Sequence, residues 1–173
     1  PDLTLSLGVP NACNSCHDDK TVQWSEKYIT EWYGKSRPAH YGTTIAGGEN
    51  ADPAALDGLI AIANASVDLY PVMIRATALA LLGNYPDEKA LNTLKLRLSD
   101  EDPIIRHYAV RNLRPTTIEG FKSAFVPMLT DPVKAVRAEA ALQLSQLPPE
   151  TFDTAWVKVY GEALAEYEKS MEY

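Results

Sequence analysis

Three stretches of this chain read alike, and their likeness limits its fold more than any local propensity. They are residues 71–82 (PVMIRATALALL), 103–113 (PIIRHYAVRNL) and 132–144 (PVKAVRAEAALQL). Arg75, Arg106 and Arg137 are spaced 31 apart, and Ala78, Ala109, Ala140 and Leu82, Leu113, Leu144 keep the same register. A period in this range marks a stack of supersecondary units. Each copy is expected to be a helix pair. The first helices fall at residues 53–65, 87–98 and 118–129, with apolar faces Leu56/Leu59/Ile60/Ala63, Leu91/Leu94/Leu98 and Phe121/Phe125/Leu129. The second helices open with Asp102-Pro103 or Asp131-Pro132, an N-cap acid followed by proline in the first turn. Thr116 with Glu119 reads as a capping box ahead of the third pair, and Pro127 should bend or stop that helix.

One such pair cannot bury its own apolar face, so the copies must stack. The expectation is an all-α fold, with a short right-handed α-solenoid of about three helix pairs over residues 53–148. These repeats resemble the HEAT family in its short form of roughly thirty residues, also found in phycobilisome lyases. In that family an acidic residue in the turn and the arginine of the second helix form a ladder between repeats. Asp68, Asp100 and Asp131 with Arg75, Arg106 and Arg137 match it, which implies structural arginines rather than anion binders. Pro148-Pro149 closes the repeats, and residues 149–173 are expected to form a helix that caps them or, equally, opens a further unit past Tyr173. Trp156, Tyr160, Leu164, Tyr167 and Met171 lie on one side of it, and Glu162, Glu166, Glu168 and Glu172 on the other.

Residues 1–52 have a different character. Cys13-Asn14-Ser15-Cys16-His17 has the spacing of a covalent haem c attachment motif: two thiols for the porphyrin vinyls, then a proximal imidazole. Cys13 and Cys16 are the only cysteines in the chain. Three other chemistries compete. A thioredoxin-like pair needs a βαβ setting, which the helical pattern does not offer. Zinc needs two further ligands, from among His17, His40 and His107. A disulfide across two residues is strained and leaves His17 without a role. Residues 1–12 read as an extended lead-in, from the alternation of Leu3, Leu5 and Leu7. A helix should follow the motif, capped by Asp18, Asp19 or Thr21 and ended by Gly34. Trp24, Tyr28 and Trp32 recur along it at i, i+4, i+8, as core packing or as haem contacts. Residues 35–52 read as a loop, and Gly47-Gly48 lacks the Lys-Ser/Thr of a phosphate loop.

A second axial ligand decides what such an iron does. His40 is the first candidate, since its segment can fold back over the metal. His107 is the next, because it stands where the other repeats carry Ala76 and Ala138. Met73, Met128 and Met171 fit helix faces, where packing explains them better. A ligand from outside the chain, or none, is the remaining alternative. The formal charge of −7 makes nucleic acid and anionic membrane poor partners and suits a basic redox partner. No apolar run is long enough to span a bilayer. The chain opens on Pro1 without a signal peptide, which reads as a mature form or a piece of a longer protein.

Residues 12–17, Asp19-Lys20, Trp24, Trp32-Tyr33-Gly34 and residues 37–42 (RPAHYG), followed by the repeats, resemble one bacterial arrangement. It is the C-terminal part of large periplasmic multihaem cytochromes, labelled as relatives of cytochrome c554 or of nitrite reductase subunits. The resemblance runs from about Pro10 to Leu147, though this chain has one haem motif where that family has several. The attachment motif carries the expectation of one covalent haem c per chain held by Cys13, Cys16 and His17, with His40 the favoured second ligand, in an extracytoplasmic compartment. The expected partners are other cytochromes or redox proteins, including upstream haem domains of the same polypeptide. The expected function is an electron-transfer module rather than a catalyst by itself. An enzyme or sensor with an open distal site for a nitrogen oxide, peroxide or gas is the second expectation. A scaffold with haem as a structural staple is the third.

Overall fold

The computed structural model describes residues 1–37 and 40–172, with the side chain of Pro149 outside the description. The described residues are all-helical, with eleven α-helices, three 3-10 turns and no strand. In the first paired unit, a 3-10 turn at Pro53–Ala55 leads into α5 (Leu56–Asn64), which packs on α6 (Val72–Leu82). Four helices precede it, α1 (Asp2–Leu7), α2 (Ala12–Cys16), α3 (Val22–Tyr33) and α4 (Gly42–Glu49). Likewise α7 (Glu88–Arg97) packs on α8 (Pro103–Asn112), and α9 (Ile118–Phe125) on α10 (Lys134–Leu144). The second helices also pack on one another, α6 on α8 and α8 on α10. The register positions explain why. Ala78, Ala109, Ala140, Leu82, Leu113 and Leu144 are all 0% exposed, the alanines allowing close approach and the leucines filling the core. Fully burying each leucine contributes roughly 1.5–3 kcal/mol.

The helix ends follow the sequence closely. Asp102 Oδ1 accepts from Ile104 N–H (2.8 Å) and Asp87 Oδ1 from Lys89 N–H (2.8 Å), each capping the helix after it. The third pair differs by small slips. Its cap is Thr117, whose Oγ1 accepts from Gly120 N–H (3.0 Å), not Thr116. Pro127 does stop α9, and a 3-10 turn at Pro127–Thr130 replaces its last turn. Asp131 Oδ1 accepts from Val133 N–H, but α10 itself begins at Lys134, past Pro132.

The arginines bridge consecutive units. Arg75 Nη2 pairs with Asp100 (2.8 Å), which also accepts from Arg97 (3.0 Å). Arg106 forks onto Asp131 through Nε (2.6 Å) and Nη2 (3.0 Å), and its Nη1 donates to the carbonyls of Asp100 and Glu101. Arg137 forks onto Glu166 of α11 (Val157–Ser170), so that glutamate is not part of an outward acidic face. Among the described residues Asp68 forms no ion pair; one period before Asp100 stands Leu69, and one period before Arg75 stands Thr44. Helix α11 packs on α10, and Trp156 just before it is 8% exposed in the core.

Two helices stand where the sequence suggested none. Residues 1–12 are not extended. Helix α1 (Asp2–Leu7) forms there, ended by Gly8 at φ 73°, and packs on α3 (Val22–Tyr33) and α4 (Gly42–Glu49). Leu3 and Leu7 are four apart, so one helical face gathers them and overrides the alternation. Helix α4 replaces part of the expected loop at residues 35–52 and packs on α6, as α6 packs on α8. Its span lies one 31-residue period before α6, a register the glycines concealed. Gly48 is buried, and a Cβ there would lie 2.9 Å from Leu81 Cδ1 and 3.0 Å from Leu59 Cδ1. Gly48→Val is therefore expected to cost about 1–3 kcal/mol by overpacking, read as a lower thermal midpoint.

Candidate functional site

Helix α2 (Ala12–Cys16) carries both cysteines on little more than one turn. Asn11 caps it, its Oδ1 accepting from Asn14 N–H (3.1 Å), and His17 leaves it at φ −100°, ψ 61°. Both cysteines are free thiols, Cys13 half-buried and Cys16 exposed. The next helix, α3, starts at the cap Thr21, whose Oγ1 accepts from Trp24 N–H (3.2 Å). It ends at Gly34, at φ 82°, where the left-handed backbone favours glycine. Arg37 then folds back on it, donating to Glu26 (2.8 Å), Thr30 (3.1 Å) and the Gly34 carbonyl. Of the adjacent segment expected to fold over the site, Pro38 and Ala39 lie outside the described residues.

Between α2 and α3 lies a cavity of about 340 Å³, lined by Cys13, Cys16 and His17 on one side and Trp24, Tyr28 and Trp32 on the other. That volume falls in the roughly 300–1,000 Å³ range of small-molecule and cofactor sites. The aromatic ladder begins at the imidazole. His17 and Trp24 ring centroids are 5.1 Å apart, Trp24 and Tyr28 4.9 Å, and Tyr28 and Trp32 5.7 Å. None of these rings belongs to the core packed between the helix pairs, so the stripe faces the cavity. Trp32, at the outer end of the ladder, is 66% exposed and presents a large apolar surface.

The donor set bears on the competing chemistries. Among the described residues, no three His, Cys, Asp or Glu side chains gather as ligands for one metal ion. Cys13, Cys16 and His17 thus share a cavity without converging on a point. Zinc requires such convergence. A macrocycle requires the opposite, two sulfurs at its edge and an imidazole toward its centre. The donor set and the apolar, aromatic lining are of the kind a covalently attached porphyrin uses.

Neither histidine considered for the second axial position lines this cavity. His40 is exposed, stacks beside Tyr41 (4.2 Å) and accepts from Gly42 N–H through Nδ1 (3.0 Å), at the start of α4. A neutral imidazole that binds a metal through Nε2 keeps its proton on Nδ1, so ligation by His40 requires that bond to break. His107 sits on α8 with Nδ1 3.3 Å from the Ala135 carbonyl, bridging toward α10. Met128 packs against the core, while Met73 and Met171 are exposed rather than packed. Among the described residues the cavity is lined by residues between Ala12 and Trp32, and the first helix pair does not wall it. Sequence reasoning passed over Asn14 and Ser25, which join α2 to α3. The signal was the Asn11–Asn14 spacing, an asparagine cap before a short helix.

No protein-family model matches the chain, and neither curated proteins nor solved structures give a match. Among the described residues no helix is long and apolar enough to cross a membrane.

Proposed function

We propose that this chain is a c-type cytochrome module for electron transfer, with one covalent haem beside a HEAT-like repeat scaffold that binds protein partners. The observation that carries it is the single apolar cavity shared by Cys13, Cys16, His17 and the aromatic face of α3. Cys13 and Cys16 would each add S–H across a vinyl group. His17 would ligate the iron, and Trp24, Tyr28 and Trp32 would cover one side in apolar surface. A haem held there supplies a one-electron ferric/ferrous couple. The scaffold reading rests on the 31-residue register and on the Arg–acid bridges between consecutive pairs. Covalent attachment of this kind goes with a periplasmic or other extracytoplasmic location, and the acidic chain with basic redox partners. Those partners include other cytochromes and haem domains upstream in the same polypeptide.

A second reading gains from one observation: among the described residues the cavity is lined by no histidine or methionine besides His17, and His40 is engaged at α4. An open distal side would suit a nitrogen oxide, peroxide or gas. An absorption spectrum of the purified chain, before and after dithionite, tests the shared premise. Haem c bands that survive acid-acetone extraction are the expected result, and a featureless visible spectrum would remove the haem. Carbon monoxide added to the reduced protein separates the two readings. An unchanged low-spin spectrum that His40→Ala converts to a carbon monoxide-binding form assigns His40 to the iron. Direct binding in the unmutated chain assigns the open site.

A further inference from the structure

Asn14 stands between the two cysteines, and its side-chain amide uses its full hydrogen-bonding capacity. Nδ2 donates to the Lys20 carbonyl (2.9 Å) and, more weakly, to the His17 carbonyl (3.4 Å). Oδ1 accepts from Ser25 Oγ (2.9 Å) and from Asn11 Nδ2 (3.0 Å). Ser25 is 2% exposed and is the one buried residue of α3. Asn11 Nδ2 reaches on to Thr4 Oγ1 of α1 (3.0 Å). One amide therefore joins α2, the turn at residues 17–20 and α3, with α1 behind it. The turn has few other anchors: His17 N–H donates to the Cys13 carbonyl (2.8 Å), and Lys20 N–H to the His17 carbonyl (3.1 Å). Its residues 17–20 are all exposed, so packing does little to hold them.

We propose that Asn14 is the positioning residue of His17. Its two donated bonds fix the turn on which the imidazole rides, and its bond to Ser25 sets that turn against Trp24. On the haem reading, from which this follows, Asn14 determines the orientation of the proximal imidazole through the backbone that carries it. A capping role is excluded as the whole account. The α2 cap uses the backbone N–H of Asn14, which any residue supplies.

Three substitutions separate the parts. Asn14→Ala removes all the side-chain bonds while leaving the cap and both thiols. Asn14→Asp keeps the acceptors for Ser25 and Asn11 but turns an oxygen toward the Lys20 and His17 carbonyls. Ser25→Ala removes one anchor and leaves both donors. In the haem-free chain, proton NMR should show the His17 ring shifted by the current of Trp24, with that shift lost in Asn14→Ala. Asn14→Asp should fail to restore it, and Ser25→Ala should keep most of it, with the thermal transition of the repeats unmoved in all three. In the haem-bearing chain, Asn14→Ala should keep one covalent haem but change reduction potential and Soret position more than Ser25→Ala. An unshifted His17 ring and an unchanged potential in Asn14→Ala overturn the proposal. An unmutated chain that takes no haem overturns the haem reading instead, and the NMR comparison still decides whether Asn14 places His17.

Discussion

Asp131→Ala is expected to lower the stability of the chain by about 3–5 kcal/mol, the usual cost of breaking a buried ion pair from one side. Asp131 has a side chain only 3% exposed, and it receives the fork of Arg106, itself 12% exposed. Removing the carboxylate strands a guanidinium that reaches water poorly, and it frees the Val133 N–H before α10. Asp57→Ala is the control. Its pair with Lys89 has side chains 79% and 67% exposed, where water screens the charges and loss of the pair should leave the denaturation midpoint essentially unmoved. Burial works to raise the Asp131 carboxyl, but the Arg106 hydrogen bond, the Val133 N–H and the nearby arginine charges outweigh it. The group is held below the ordinary carboxylate value. A carboxyl depressed by folding gives stability that is complete above its unfolded value, about 4, and lost as the pH falls through its folded one. The gap between unmutated chain and Asp131→Ala, measured by urea denaturation, should thus be full at pH 6 and narrow below about pH 4.

The double substitution Cys13→Ser with Cys16→Ser should abolish covalent haem, leaving no c-type bands after acid-acetone extraction. The same variant should keep the thermal transition of the repeats within about 2 °C of a haem-free unmutated chain. Both halves follow from where the cysteines lie. They line the α2–α3 cavity, whereas the core packed between the helix pairs begins at Ala55 and includes no residue of α1, α2 or α3. Serine is close in size to cysteine and suits two sites that are not fully buried. Bands that persist would mean haem held without thioethers. A collapsed repeat transition would mean that the first 33 residues belong to the core after all.

The paired helices were legible in the sequence because their demands are periodic. Ala109 and Leu113 face the same neighbours that Ala78 and Leu82 face one unit earlier, so the same residues recur. The bridging arginines were legible too, but not all their partners. Glu166 lies on a helix outside the period, and its geometry depends on how α11 meets α10, which no spacing records. Helix α4 was hidden by composition. Gly-Thr-Thr-Ile-Ala-Gly-Gly-Glu has poor helix propensity, and tertiary contact with Leu59 and Leu81 overrides it. At the site, Cys13, Cys16 and His17 were legible as a spacing with a chemical reason. The position of His40 was not, since a loop's reach says nothing of the Gly42 N–H that engages it.

The place of α4 also governs what the two halves of the chain can tell each other. The segment bearing Cys13, Cys16 and His17 meets the helix pairs chiefly through α1 against α4 and α4 against α6. That relay is one helix of eight residues with three glycines, seated by the close approach of Gly48 to two leucines. Any displacement of the segment that bears His17 therefore reaches the helix pairs chiefly through this narrow joint. The joint is placed as a clutch is: loosening α4, as Gly48→Val would, is expected to let the two halves move independently on one chain.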